Sequence, residues 1–307
     1  MKPPHLGPLL AAIAMLLAPS AALACACGCG VFDVGDDNLV PGETGRELFV
    51  EYDFLDQTQN WSGRQKAPAA DNSDKRITTN FVVLGGQLTL NRDWGLMVEV
   101  PVTDRTFHTT DPGFLARFHD TSLGDIRLMG VYTGFSPDMS SGLIAGVKLP
   151  TGDFRAAGFT RDVEIGSGST DVLLGGYHRG TIGGSPDWTY LFQALANIPV
   201  SGQDHYMPGG ELDVSANVAY GGWSAGAGKV KIEPLLQVIG SFRGSDRGLE
   251  ADPDNTGYAR VLLSPGVQVS AGRWKLYGDV ELPIYQSVKG NQLIAPEQFK
   301  VVLSRGF

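Results

Sequence analysis

The segment WGLMVEVPVTDR, residues 94–105, alternates between apolar and polar side chains along most of its length. Successive side chains of an extended chain point to opposite faces, so this pattern predicts a strand with two unlike faces. One face carries Trp94, Leu96, Val98, Val100 and Val102. The other carries Met97, Glu99, Thr103 and Arg105. A strand of this length exceeds the ~5–6 residues usual in soluble domains and matches the ~9–11 residues that cross a membrane.

Eleven further segments show the same two-residue period. With the first, the predicted strands lie near residues 47–56, 77–90, 94–105, 123–135, 141–150, 170–180, 187–198, 211–221, 230–242, 258–271, 274–286 and 298–307. A sheet that crosses a bilayer must close on itself, because an open edge leaves backbone N–H and C=O groups unpaired in lipid. We therefore predict an all-β fold, a closed antiparallel transmembrane β-barrel of about 12 strands, over residues 46–307.

The connections between the predicted strands alternate in length. Short links fall at 91–93, 136–140, 182–186, 222–228 and 272–273. Longer links fall at 57–76, 106–121, 151–169, 200–210, 244–257 and 287–297. Tight periplasmic turns and long external loops are typical of outer-membrane barrels in the Gram-negative envelope. We therefore expect the protein to lie in the outer membrane, with both termini on the periplasmic side. We consider the long link Thr106–Thr121 a candidate for a loop that folds into the lumen.

The tryptophans fall where such a barrel would meet the lipid headgroups. Trp94, Trp188 and Trp274 begin the predicted third, seventh and eleventh strands, each on the apolar face. These three strand starts share the periplasmic rim if the first strand runs outward. An aromatic girdle at this boundary is typical of membrane barrels.

The two ends of the chain carry export and insertion signals. Residues 1–24 have the charged start, the short apolar core and the Ala-Leu-Ala ending of a secretory signal peptide, which leaves residues 25–45 as a periplasmic tail. The last predicted strand alternates up to a C-terminal Phe307, which resembles the signal that the barrel-assembly machinery recognises. We expect that machinery and outer-membrane lipids to be partners.

The composition argues against other classes of protein. A formal net charge of -9 and a pI near 5.0 argue against nucleic-acid binding. A mean hydropathy of -0.04 argues against a bundle of membrane helices, which need stretches of ~18 apolar residues. The chain has 41 glycines in 307 residues, which favours an all-β chain over a helical one.

The polar faces of the predicted strands would line the lumen. Their charged members are Glu51, Asp53, Glu99, Arg105, Asp125, Arg127, Lys148, Asp171, Arg179, Glu211, Asp213, Glu233, Arg260, Asp279 and Glu281. Because both signs are present, strong ion selectivity is not expected. These faces predict a channel for passive passage of small molecules, including apolar or aromatic ones. If the same charges paired across the lumen, the barrel would be closed, and its external loops would bind a ligand or partner.

Three cysteines at the start of the tail leave a further function open. Cys25, Cys27 and Cys29 alternate with small residues, so an extended chain places them on one side. Thiolates in this arrangement suit Cu or Zn, which would imply periplasmic metal handling. An oxidising periplasm favours disulfides instead, and lipidation of Cys25 is a third reading. Apart from this site, we expect no cofactor.

Several segments carry a resemblance to a known family. They are LGDIRLMGVY (123–132), GVKLPTGD (146–153), GSGSTDVLLGGYHRG (166–180) and SPGVQVSAGRWKLYGDVELP (264–283). The chain from about residue 45 onward resembles the outer-membrane barrel proteins of the phenol meta-degradation pathway, often named simply transporters. The resemblance implies a barrel of twelve or a similar number of strands and passage of small, apolar or aromatic molecules.

Catalysis would need a nucleophile beside a base. His178 has no serine close to it in the sequence, and Ser224 and Ser241 have no histidine on a predicted neighbouring strand. We therefore expect that the protein is not an enzyme.

Overall fold

A computed structural model describes residues 45–111 and 116–307. The predicted signal peptide, the three cysteines and the rest of the tail up to residue 44 lie outside these residues, so those predictions stay open. Within the described ranges, no helix is long and apolar enough to cross a membrane.

Twelve antiparallel strands form the barrel. They are β1 (Gly45–Gln57), β2 (Asp74–Thr89), β3 (Trp94–Thr109), β4 (Arg127–Tyr132), β5 (Ser141–Lys148), β6 (Thr170–Ile182), β7 (Ser185–Ser201), β8 (Glu211–Tyr220), β9 (Val230–Arg243), β10 (Tyr258–Ala271), β11 (Trp274–Ile294) and β12 (Gln298–Gly306). Each overlaps one predicted segment, since the two-residue hydrophobic period is a local property of the chain.

The sheet closes between its first and last strands. Leu48 of β1 lies opposite Arg305 of β12, and the ladder continues without a break to Leu55 opposite Gln298. Every other strand pairs with its neighbours in chain order, from β1 with β2 to β11 with β12. This arrangement satisfies the backbone polar groups between strands, which confirms the predicted closed β-barrel.

Several elements extend the external end of the barrel. Short strands at Gln59–Gly63, Gln65–Lys66, Arg117–Leu123, Tyr206–Met207 and Arg247–Gly248, and a 3-10 turn at Ala69–Asp71, lie in the long connections. A further short strand, Trp223–Ala225, lies in a periplasmic turn.

Two predicted strands change in length because short strands in the long connections pair with barrel strands. The predicted strand 123–135 shortens to β4, because Arg117–Leu123 pairs with the outer half of β3 instead. The predicted strand 274–286 lengthens to Ile294, because its end pairs with Gln59–Gly63. The first partner is a neighbouring hairpin strand, whereas the second is distant in sequence.

The outer surface is an apolar belt. Exposed aliphatic and aromatic side chains occupy alternate positions of the strands; they include Leu48, Val50, Leu84, Leu96, Val98, Leu143, Leu174, Phe192, Leu212, Leu236, Leu276, Leu282, Val301 and Leu303. Trp94, Trp188 and Trp274 are also exposed, at the rim formed by the short turns. A continuous apolar surface on a closed barrel, bounded by tryptophans, fits the hydrocarbon and headgroup layers of a bilayer.

Arg305 interrupts the apolar face of β12 without being isolated. Its guanidinium lies 5.0 Å from the ring of Trp274 and 4.9 Å from the ring of Phe307. Cation–π contacts of this kind stabilise an arginine at a partly apolar boundary. The periplasmic rim therefore accommodates a charge that the middle of the lipid face would exclude.

The interior contains an apolar cluster as well as the polar faces. Its buried members are Phe49, Met97, Met129, Val131, Ile144, Leu173, Tyr177, Leu191, Leu195, Ile239, Leu262, Tyr277 and Val302. Glycines make room for its rings: a Cβ on Gly85 would lie 1.9 Å from the Phe49 ring. We call this set the inner apolar cluster.

Candidate functional site in the barrel lumen

The structure buries most of the residues for which the sequence predicts a place in the lumen. Glu51, Asp53, Glu99, Arg105, Asp125, Lys148, Asp171, Asp213, Arg260, Asp279 and Glu281 are buried. Arg127, Arg179, Glu211 and Glu233 are partly buried. Since the opposite faces of the same strands are exposed, the buried side chains point to the inside of the barrel. Asp125 differs from the others in lying just before β4 rather than on a strand.

On one side of the lumen, charges of opposite sign meet. The Nζ atom of Lys148 lies 2.7 Å from Oδ2 of Asp171 and 3.8 Å from Oδ2 of Asp125. On the adjoining strands, Arg127 Nη1 lies 3.9 Å from Glu99 Oε2. Buried charges of this kind are tolerated because each has a partner of opposite sign.

A second group of charges surrounds Lys300 of β12. Its ammonium lies 3.6 Å from Glu51 and 3.9 Å from Asp53. In the ladder, Lys300 stands directly opposite Asp53 on one side and Asp279 on the other. Glu281, two residues beyond Asp279, shares the same inward face. Carboxylates therefore outnumber the ammonium in this part of the wall, which makes Lys300 important for its stability.

The external end of the lumen is occupied by the connection between β5 and β6. We call residues 149–169 the inward loop. Two of its side chains, Phe159 and Val163, are buried in a cluster with Ile77, Phe107 and Leu293 of the barrel wall. The sequence suggested 106–121 as the segment that folds inward, but most of it extends the wall as part of β3 and as Arg117–Leu123.

Asp125 holds both ends of the inward loop. Its Oδ1 accepts a hydrogen bond of 3.0 Å from the backbone N–H of Gly152. Its Oδ2 accepts one of 2.9 Å from the backbone N–H of Ser167 and another from the Ser167 hydroxyl. Hydrogen bonds to a carboxylate are stronger than those between neutral groups. We call this arrangement the Asp125 clasp.

Close backbone contact makes the clasp possible. A Cβ on Gly166 would lie 2.3 Å from the carbonyl carbon of Gly152, and one on Gly152 would lie 3.0 Å from Gly124. Glycine is therefore required where these three chain segments meet. Gly124, Gly152 and Gly166 each belong to a different one of the segments that resemble the transporter family. The contact between them therefore gives those segments a shared structural role.

A second anchor comes from the barrel wall. Arg105 of β3 donates hydrogen bonds of 2.6 Å and 3.0 Å from Nη1 to the carbonyl oxygens of Val163 and Glu164. Its Nε donates one of 3.1 Å to Thr79. The sequence indicates that Arg105 faces the lumen, but its attachment to the inward loop depends on a contact 58 residues away in the chain.

Glu164 of the inward loop carries an unusually basic carboxylate. Burial, the largest cause, raises its pKa to about 7, and the neighbouring carboxylates of Asp153 and Asp120 act in the same direction. A hydrogen bond from the backbone N–H of Ala156, at 3.2 Å, and the positive charge of Arg161 oppose the shift. The docked loop therefore favours the protonated form of Glu164.

This preference predicts that docking of the loop weakens as pH rises. The raised pKa of Glu164 stabilises the docked loop fully at a pH below the ordinary pKa of glutamate. This stabilisation is lost as the pH rises through about 7. Tryptic cleavage after the exposed Arg155, relative to cleavage after Arg64 in another external segment, should increase from pH 5.5 to pH 8. Glu164→Gln should remove most of this increase; an equal increase in both proteins would contradict the assignment.

Two cavities flank the inner apolar cluster. The external cavity, of about 190 Å³, lies beneath the inward loop and is lined by wall residues such as Glu99 and Arg127 and by loop residues such as Glu164. The periplasmic cavity, of about 410 Å³, is lined by Arg179, Asn217 and Glu233 among others. Val83, packed on the cluster, lines the first, whereas Leu191 and Tyr277 of the cluster line the second. The apolar side chains thus lie between two cavities, each lined by both polar and apolar groups.

The outer face carries a serine beside a histidine that the sequence did not reveal. Ser141 Oγ lies 2.8 Å from Nδ1 of His178, and Nε2 of His178 lies 3.0 Å from the hydroxyl of Tyr190. Ser141 and His178 stand opposite each other in the β5–β6 ladder, which explains why a search along the sequence missed the pair. The Nε2 atom meets a phenol rather than a carboxylate, so the group lacks the charge that orients the base in a Ser–His–Asp site. It forms a polar network near the aromatic rim.

Among residues 45–111 and 116–307, no group of three or more histidine, cysteine or acidic side chains has a geometry that could hold a metal ion. Cys25, Cys27 and Cys29 lie outside those ranges.

Comparisons with known proteins support the fold. No protein-family model matches the chain, and no curated protein matches it significantly. The COG4313 outer membrane channel from Pseudomonas putida F1 is 12% identical, with a TM-score of 0.67 over 90% of this chain and 100% of that one. The beta domain of the Bordetella autotransporter BrkA is 12% identical, with a TM-score of 0.52 over 86% and 100%. The chain therefore has the fold of an outer-membrane β-barrel.

Proposed function

We propose that the barrel is a channel through which small molecules cross the outer membrane passively. The observation that carries this proposal is the pair of cavities inside a closed barrel, one beneath the external loops and one above the periplasmic turns. A barrel built only as a scaffold would be expected to fill this interior with packed side chains. Similarity in fold to an outer membrane channel agrees with the proposal.

Passage in this proposal involves no chemical step. A solute enters beneath the inward loop, crosses the inner apolar cluster and leaves through the periplasmic cavity. Because charges of both signs line the external cavity, such as Lys148 and Asp171, neither cations nor anions gain a large advantage there. The cluster between the cavities favours solutes with an apolar or aromatic part, since these lose little hydration on passing it. Outer-membrane lipids surround the belt, and we propose insertion by the barrel-assembly machinery through β12.

Planar-bilayer recording tests the channel directly. Purified, refolded protein should produce discrete conductance steps of weak ion selectivity, and vesicles containing it should take up small neutral and aromatic solutes. Heat-modifiable migration in SDS gels would verify that the barrel is folded, and heat-unfolded protein serves as the control. A flat baseline over a range of voltages from folded protein would overturn the proposal and favour a closed barrel whose loops bind a partner.

A further inference from the structure

The external entrance contains one arginine that borders three separate spaces. Arg161 of the inward loop lines the external cavity inside the barrel. It also lines an outward-facing space of about 390 Å³, which we call the vestibule, and a shallow cleft beside His205 and Glu250. The side chain therefore lies at the boundary between the outside and the lumen.

Two aromatic rings contact the Arg161 guanidinium. Its Cζ atom lies 5.0 Å from the ring centre of Phe154 and 4.5 Å from that of Tyr206. Phe154 belongs to the inward loop, whereas Tyr206 belongs to the connection between β7 and β8. The Tyr206 hydroxyl donates a hydrogen bond of 2.6 Å to Asp246, which fixes the ring. The arginine thus bridges two external segments.

The hydrogen bonds of Arg161 come from its own loop. Nη1 donates to the carbonyl oxygen of Phe154 at 3.1 Å, and Nη2 donates to that of Ser167 at 3.2 Å. The Nε donor is buried and makes no hydrogen bond to any residue that the structure describes. Contact with Tyr206 is therefore through the ring face alone, and cation–π contacts are weak enough to break and reform on thermal motion.

The vestibule around this arginine is acidic. Its lining includes Asp111, Asp162, Glu250 and Asp252, together with Phe107 and Phe159. Carboxylates concentrate cations near an entrance, and a guanidinium at its inner end opposes their further movement. Tyr206 and Asp162 line both the vestibule and the external cavity, so these two spaces adjoin at Arg161.

We infer that Arg161 is the residue that determines permeation at the external entrance. In its stacked position it separates the vestibule from the external cavity and repels cations that the vestibule attracts. Movement away from Tyr206 joins the two spaces. This inference rests on the proposed channel function.

The test compares single-channel conductance and reversal potential in a KCl gradient for wild-type protein and variants. Arg161→Gln removes the charge, while Arg161→Lys keeps it. Arg155→Gln is the matched control, because Arg155 lies on the same loop and also stacks on Phe154, at 4.5 Å, but is exposed and pairs with Asp204. Each variant must migrate as a folded, heat-modifiable barrel.

Arg161→Gln should increase the open fraction or conductance on the order of tenfold, given the strength of the contacts removed. The reversal potential of Arg161→Gln should shift toward cation preference. Arg161→Lys should keep a reversal potential close to that of wild type. Arg155→Gln should keep both the conductance and the reversal potential of wild type. A conducting wild type with an unchanged Arg161→Gln variant would overturn it. Silence of both folded proteins would overturn the channel function itself.

Discussion

Replacing Lys300 with methionine is expected to lower the free energy of unfolding by about 3–5 kcal/mol, the usual effect of removing one partner of a buried ion pair. The side chain is 4% exposed, and its ammonium lies within 4 Å of Glu51 and Asp53, which are also buried. Without it, these carboxylates remain in the lumen wall with no cation at that position. Urea unfolding of the refolded barrel, followed by SDS-gel mobility, measures the loss.

Lys231→Met is the matched control. Lys231 also forms an ion pair, with Glu233 at 2.8 Å, but its side chain is 53% exposed, so the expected change is at most about 1 kcal/mol. A triple variant that combines Lys300→Met with Glu51→Gln and Asp53→Asn should recover much of the lost stability, because it removes the uncompensated charge. Equal stability of the Lys300→Met and Lys231→Met proteins would show that Lys300 does not stabilise the wall.

Replacing Asp125 with alanine is expected to release the inward loop while leaving the barrel folded. The change removes three hydrogen bonds to a buried carboxylate, each worth about 1.5–3 kcal/mol. Such a loss would shift the docking equilibrium by more than about a hundredfold, because each 1.4 kcal/mol is about tenfold. Cleavage by trypsin after Arg155 and Arg161 should become rapid, and conductance of the proposed channel should rise.

Asp153→Ala provides the control for the clasp. Asp153 lies on the same loop, is exposed, and its carboxylate accepts a hydrogen bond of 2.9 Å from the backbone N–H of Arg155. Its removal should leave cleavage and conductance near wild-type values. If Asp125→Ala and Asp153→Ala were cleaved equally slowly, the Asp125 clasp would not be what holds the loop.

The barrel itself could be predicted from the sequence. Alternation in WGLMVEVPVTDR and eleven other segments depends only on neighbouring residues, and these segments became the twelve strands of the sheet. The same period separates exposed Leu96 and Val98 from buried Met97 and Glu99. Where a strand end depends on a distant partner, as with the end of β11 that pairs with Gln59–Gly63, the prediction misplaced the boundary.

The arrangement of the lumen could be predicted only in part. The two-residue period of the strands predicts that Arg105 and Lys148 point into the lumen. The same period, extended to the residues just before β4, predicts this for Asp125. The clasp joins Asp125 to residues 27 and 42 positions away, and Arg161 meets Tyr206 from a different external connection. Ser141 meets His178 across 37 residues. None of these pairs leaves a periodic mark in the sequence.

The sequence by itself determined that the chain is a closed barrel, how many strands it has and which face of each strand meets lipid. It could do so because the two-residue period and the lengths of the connections are local properties that a bilayer selects. Only the tertiary structure decided which loop enters the lumen, which carboxylates surround Lys300 and which aromatic rings Arg161 contacts. These features depend on the stagger of the strands around the closed sheet, which brings together residues far apart in the chain.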